Sequence, residues 1–185
     1  NLAITMAAGG ARICVVEGDL RRPRLLSYMG MDGSVGLTNV LIGQAELDDV
    51  LQQFARTSVY VVGAGTVPPN PSELLGSAAM VAVLRELESR FDVVIIDTPP
   101  LLPVTDAAVL STIAGGTVVV VGAGRVDRDH LARSLQSLEA VKGRLLGLVL
   151  NLVPIKGNDA YYNYREGYAP ESPRLRAKER ERAAS

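Results

Sequence analysis

Apolar residues in this chain follow two alternating rhythms. Five runs, "RICVVEGD" (12–19), "SVYVVGAG" (58–65), "DVVIIDTPP" (92–100), "GTVVVVGAG" (116–124) and "LLGLVLNLV" (145–153), are short, rich in valine and isoleucine, and free of polar alternation. That is the texture of strands buried on both faces of a parallel sheet. Amphipathic stretches stand between them. Residues 68–91 place Leu74, Ala78, Val81, Leu84 and Leu87 on one helical face, and the helix start is marked by Asn70 as cap, Pro71 at the first helical position and Glu73 as the capping-box carboxylate. A second helix after Asp127 carries Leu131, Leu135, Leu138 and Val141 as its buried stripe, with Gly143 placed to end it. The alternation predicts an α/β fold, a doubly wound and mainly parallel sheet flanked by helices. No internal repeat is present. The opening, "NLAITMAAGGARICVV", reads as the second half of a helix running directly into a strand.

From Lys156 the texture changes. Residues 156–185 lack an apolar period, contain Gly and Pro punctuation, and end in mixed charge. They predict a tail that is mobile or orders only on a partner, against a core of residues 1–155. Four of the six tyrosines, Tyr161, Tyr162, Tyr164 and Tyr168, lie in its first half. Its end, "RLRAKERER", is basic enough to favour an anionic membrane surface; a solvated tail is the plainer reading.

Composition narrows the classes. With 185 residues, 48% hydrophobic and 21% charged, the chain is long enough for one well-packed domain and short for two. A formal net charge of -1 supplies no overall field to draw nucleic acid. The lone Cys14 excludes an intrachain disulfide and fits a reducing compartment; within "ICVV" it reads as inert core packing. No stretch approaches the ~20 apolar residues of a membrane span, and no signal-peptide pattern opens the chain.

Candidate chemistry gathers at the strand ends. Ligands of open parallel sheets bind at the carboxyl edge of the strands. There the first run ends in Glu17, Gly18 and Asp19, followed by Arg21 and Arg22; the third ends in Asp97 and the fifth in Asn151. Carboxylates from two strand ends suit magnesium, which takes a few carboxylates, phosphate oxygens and several waters. Thr98-Pro99-Pro100 turns the chain away and leaves that edge open. The alternative for Asp97 is a cap on the following turn. His130, beside Asp127 and Asp129, reads as a surface residue, with no other histidine or cysteine spaced to make a metal site.

"ICVVEGDLRRP", "PPNPSELL", "VVIIDTPP" and the late tyrosine cluster together resemble the cytoplasmic kinase domain of bacterial protein-tyrosine kinases. These are the BY-kinases of capsule and exopolysaccharide synthesis, a branch of the P-loop ATPases related to MinD and ParA. The likeness spans nearly the whole chain. It implies that "VVEGDLR" is the family's second Walker-type motif, with Asp19 and Arg21 in matching places, and that Asp97 ends the Walker B strand near magnesium. It further implies ATP and Mg2+ as cofactors, with autophosphorylation of Tyr161, Tyr162, Tyr164 and Tyr168 between neighbouring subunits of a homo-oligomer. The implied setting is the cytoplasmic face of the cell membrane, with a membrane polysaccharide co-polymerase as activator, fused or separate.

Charge accounting then assigns roles. Phosphoryl transfer needs neutralised phosphate oxygens and an aligned hydroxyl; Asp19 and Asp97 would hold the magnesium. Glu17 is a candidate to accept the tyrosine proton. Arg21 is a candidate for phosphate or a neighbouring subunit, the alternative being a solvated loop. Asn151 is a candidate for the adenine edge, the alternative being a turn after the strand. Two departures stand against the resemblance. Glu17 occupies a place where the family usually has aspartate, a carboxylate moved by about 1 Å, and no G-x-x-x-x-G-K-[ST] occurs in the chain. The expectation is truncation: the first strand, the phosphate cradle, its lysine and the magnesium-binding hydroxyl lie upstream, and these residues alone are inactive. The rivals are a MinD- or ParA-type positioning ATPase and a nonhydrolytic adaptor in polysaccharide assembly.

Overall fold

A computed structural model describes residues 1–154. In chain order the elements are α1 (Leu2–Ala8), β1 (Ile13–Glu17), α2 (Leu25–Met29), α3 (Leu37–Leu41), α4 (Leu47–Val50), β2 (Leu51–Gln53) and β3 (Val59–Val62). There follow α5 (Pro71–Leu75), α6 (Ala78–Arg90), β4 (Val93–Asp97), α7 (Asp106–Ser111), β5 (Thr117–Gly122), α8 (Arg128–Ala140) and β6 (Leu145–Asn151). By internal contacts the chain divides into two units, Asn1–Val119 with Asp127–Val149, and Val120–Val126 with Leu150–Ser185, of which residues 150–154 are described.

The first unit holds a four-stranded sheet in the order β2-β3-β1-β4. β1 runs parallel to both β3 and β4, from Ile13 opposite Val59 and Val93 to Glu17 opposite Asp97. β2 is a short antiparallel edge. Alternation along β1 sends its side chains to two cores. Cys14 and Val16 join Val62, Leu75, Met80, Leu84, Leu87 and Leu110 under α5, α6 and α7. Ile13 and Val15 join Val59, Val61 and Leu26, with Ala3, Met6 and Ala7 of α1 packed against them. Helix layers on both faces make the sheet doubly wound. Each fully buried Leu or Ile contributes roughly 1.5–3 kcal/mol, and β1, buried throughout, is the axis of both cores.

Several expectations need correction. The five runs do not share one ladder: β5 and β6 form a separate pair, bonded from Thr117 N to Arg144 O in the first unit and from Ala123 N to Asn151 O in the second. Burial on both faces holds for β1 but not for β4, which is half-buried up to Asp97 and pairs on one edge only among the described residues. β6 is exposed at every position except Gly147. The single helix over 68–91 is two helices. Gly76 ends α5, and the Ser77 side chain accepts the Met80 N–H to start α6, a cap that a serine supplies readily. The core face of α6 is Met80, Val83, Leu84 and Leu87, one position away from the predicted stripe except at Leu84 and Leu87. Pro71 does open α5, but Asn70 makes no side-chain cap and instead donates from Nδ2 to Glu73 Oε2 at 2.6 Å. In α8 only Leu138 of the predicted stripe is fully buried, and the Asp127 carboxylate caps the helix by accepting the His130 N–H.

Cys14 is fully buried, and burial pushes its thiol up to about 12. Thiolate is the reactive form, so the native protein is expected to resist alkylation by iodoacetamide and to label fully in denaturant. Rapid labelling of the native state would refute the packing role.

Candidate functional site

The ends of β1 and β4 are locked together. The Gly18 N–H donates to the Asp97 carbonyl at 2.6 Å, and a Cβ at Gly18 would stand 2.8 Å from that oxygen and 2.9 Å from Ile96 Cγ2. Only glycine lets the strands leave the sheet this close. Glu17, Asp19 and Asp97 therefore arrive at one rim, as the strand-end reading expects. Their charges interact there. Desolvation at the strand end raises the Asp97 carboxyl above the ordinary carboxylate value, and the negative charges of Glu17 and Asp19 raise it further.

The three carboxylates are not equivalent. Asp19 Oδ1 accepts the backbone N–H groups of Arg21 at 3.1 Å and Arg22 at 3.0 Å, which folds the loop back on itself in an Asx-type turn. Asp97 is exposed, and no hydrogen bond from a described residue reaches its carboxylate, so the cap alternative is not realised. Glu17 is 3% exposed. Its Oε1 accepts the N–H groups of Arg24 and, at 2.6 Å, Leu25; its Oε2 accepts the Ala64 N–H at 3.2 Å. Three of the roughly four lone-pair sites of this carboxylate are taken by backbone donors. Glu17 thus caps the start of α2 and ties it to the segment after β3, a holding role beside which one lone-pair site of its carboxylate stays uncommitted.

Arg21 also departs from the sequence reading. Its guanidinium makes a bidentate pair with Asp106, Nε to Oδ2 at 2.7 Å and Nη2 to Oδ1 at 3.0 Å, and Nη2 reaches Ser72 Oγ at 3.1 Å. These contacts anchor it to the fold, and neither the phosphate nor the solvated-loop reading anticipates them. Asn151 ends β6, in the second unit, with its Oδ1 accepting the N–H of Leu152 at 2.8 Å; this is the turn alternative. Sequence reasoning missed Asp106 and Ser72. Each sits in the first turn of a short helix, where an acidic or hydroxyl residue is unremarkable. Tyr161, Tyr162, Tyr164 and Tyr168 lie outside the described residues.

Among the described residues no group of three His, Cys, Asp or Glu side chains is arranged to hold a metal alone. The donor set fits magnesium nevertheless. Among the described residues Asp97 has no side-chain partner and feels the charge of Glu17 and Asp19, Asp19 keeps one oxygen uncommitted, and a hydrated ion completes its shell with water and phosphate.

No family model matches the chain. Curated relatives do. The chain is 33% identical over 164 residues, covering 89% of itself and 69% of the relative, to the tyrosine-protein kinase YwqD of Bacillus subtilis. Among solved structures it is similar to the chimerical protein CapA2B2, with a TM-score of 0.81 and 34% identity over 84% of this chain and 69% of that one. A cobyrinic acid a,c-diamide synthase from Mycobacterium smegmatis, solved with an ATP analog and magnesium, is 22% identical with a TM-score of 0.71 over 94% of this chain and 76% of that one; at that identity the likeness shows the fold alone.

Proposed function

We propose a function on one premise: the chain belongs to the bacterial tyrosine-protein kinase family. The protein of which these residues are part transfers phosphate from ATP to its own late tyrosines, Tyr161, Tyr162, Tyr164 and Tyr168, between neighbouring subunits. It thereby regulates capsule or exopolysaccharide synthesis at the cytoplasmic face of the membrane, together with a membrane co-polymerase. That a similar solved structure is a chimera fits a domain that works with a second polypeptide.

The observation that carries the reading is the rim shared by Asp97, whose carboxylate is uncommitted, and Asp19, which keeps one oxygen free and whose charge is felt at Asp97, at the carboxyl edge of a parallel sheet. When bound there, magnesium supplies charge neutralisation at the nucleotide phosphates. Asp19 and Asp97 would orient the ion, the Gly18 to Asp97 backbone bond anchors one side of the loop that carries Asp19, and Glu17 holds the surrounding loops. No G-x-x-x-x-G-K-[ST] occurs in the 185 residues, so the reading assigns them the magnesium side of the chemistry and expects them to transfer no phosphate by themselves.

Mass spectrometry of the full-length protein after incubation with ATP and magnesium tests the proposal. Phosphate is expected on the four late tyrosines, each adding about -1.5 to -2 charges at neutral pH. A clean tail beside modified sites elsewhere would remove the acceptor assignment, and absence of phosphotyrosine altogether would remove the kinase one.

A further inference from the structure

We propose that Arg21 is a positioning residue: its bidentate hold on buried Asp106 clamps the loop that carries Asp19 to the segment that follows Asp97, and so sets the spacing of the two carboxylates. The inference rests on the kinase reading for the identity of the bound ion.

Asp19 stands between two anchors. On one side the Gly18 N–H is bonded to the Asp97 carbonyl; on the other, two residues on, the Arg21 guanidinium grips Asp106, the first residue of α7. Residues 98–105 connect Asp97 to that same aspartate. The two loops leaving β1 and β4 are therefore joined at both ends, and Asp19 and Asp97 lie within the closed circuit. Ser72 of α5 is a third attachment point, since it donates from Oγ to Asp106 Oδ1 and accepts from Arg21.

The clamp is built to last. The Asp106 side chain is wholly buried while that of Arg21 is 39% exposed. Burial alone would raise the Asp106 carboxyl, but hydrogen bonds from Arg21 and Ser72 outweigh it and hold the group below the ordinary carboxylate value. A buried carboxylate gripped this way keeps its arginine. Arginine is the residue this geometry requires, because its planar fork presents two parallel donors to one carboxylate and lysine does not.

Calorimetric titration of the full-length protein with ADP, with and without magnesium, tests the clamp alongside the magnesium dependence of phosphotyrosine formation. Arg21→Lys keeps the charge and loses the fork; Ser72→Ala removes the third attachment; Arg21→Met combined with Asp106→Leu removes the pair without stranding a buried charge. In Arg21→Lys and the double variant we expect magnesium-dependent ADP affinity to fall by about tenfold, the usual scale for groups that orient a metal's ligands. Half-maximal labelling should move to correspondingly higher magnesium, rate should recover at saturation, and ADP affinity without magnesium should stay put. Ser72→Ala should show the same effect more weakly. Wild-type magnesium dependence in Arg21→Lys would overturn the proposal, as would loss of ADP affinity without magnesium, the mark of a direct phosphate contact. If the double variant does not fold, the two single variants still decide. A wild-type protein that binds no ADP with magnesium overturns the kinase reading itself, which separates the two failures.

Discussion

An Asp97→Asn protein is expected to lose phosphotyrosine formation by at least about 10²-fold, the scale on which removal of one electrostatic stabiliser of a transition state is felt, while melting no lower than the wild type at neutral pH. The two halves of this expectation share one cause. The Asp97 carboxyl lies above the ordinary value because of desolvation and the neighbouring charges of Glu17 and Asp19. A carboxyl whose folded value exceeds its unfolded one destabilises the fold once ionised. The penalty is absent below the ordinary carboxylate range, grows as pH rises through the folded value, and is constant above it. The advantage of the asparagine variant should therefore appear at neutral pH and vanish in acid. Magnesium with ADP should raise the melting temperature of the full-length wild type and leave that of the variant nearly unmoved, because the bound ion relieves the repulsion that the substitution has already removed. Scanning calorimetry between pH 3 and 8 measures all three. A variant less stable than wild type at pH 7, with an undiminished response to magnesium, would mean that Asp97 serves the turn after β4 and not an ion.

Why the rim was legible in the sequence, and its wiring was not, follows from what each depends on. An apolar run ending in a carboxylate places that group at a strand end whatever the neighbours do, so Glu17, Asp19 and Asp97 could be located from "ICVVEGD" and "VVIID" alone. Their partners depend on side-chain direction across long separations. Arg21 meets Asp106 at a sequence distance of 85 residues, and Glu17 meets Ala64 at 47; neither pair leaves a periodic trace. The same division runs through the fold. Period and composition found β1, β3 and β4 and the two long helices, but not α2, α3 or α4, which are four or five residues long and too short for a periodic stripe. The grouping of β5 with β6 apart from the other strands is a pairing choice, and valine-rich runs carry no information about which neighbour they take.

Glu17 should be a costly position for stability, on a par with the buried leucines of the core. With its side chain cut back to alanine, three buried or partly buried N–H groups, of Arg24, Leu25 and Ala64, lose their acceptor together, and each orphaned donor costs roughly 1–3 kcal/mol. Glu17→Ala is accordingly expected to lower the unfolding free energy by about 3–5 kcal/mol, at the upper end for a single substitution. Glu17→Gln keeps the shape but turns an NH2 toward one set of donors, so it should lose roughly 1–3 kcal/mol. Glu17→Asp restores the residue usual in the family at this place, yet in this chain it withdraws the carboxylate by about 1 Å from amides set for the longer side chain, and it too should destabilise. Urea unfolding at unchanged slope measures the series. The competing role, proton acceptor for the attacking tyrosine, makes the opposite pattern: Glu17→Gln would unfold within about 0.5 kcal/mol of wild type, as surface positions do, while losing activity by orders of magnitude. Glu17 lies opposite Asp97 in the β1–β4 ladder, where its charge presses on the magnesium side, while its oxygens hold the loops on the other. A stability loss in Glu17→Gln accompanied by a proportionate loss of magnesium-dependent labelling would place the residue beneath the site, as the support that keeps Asp19 and Asp97 at a common edge.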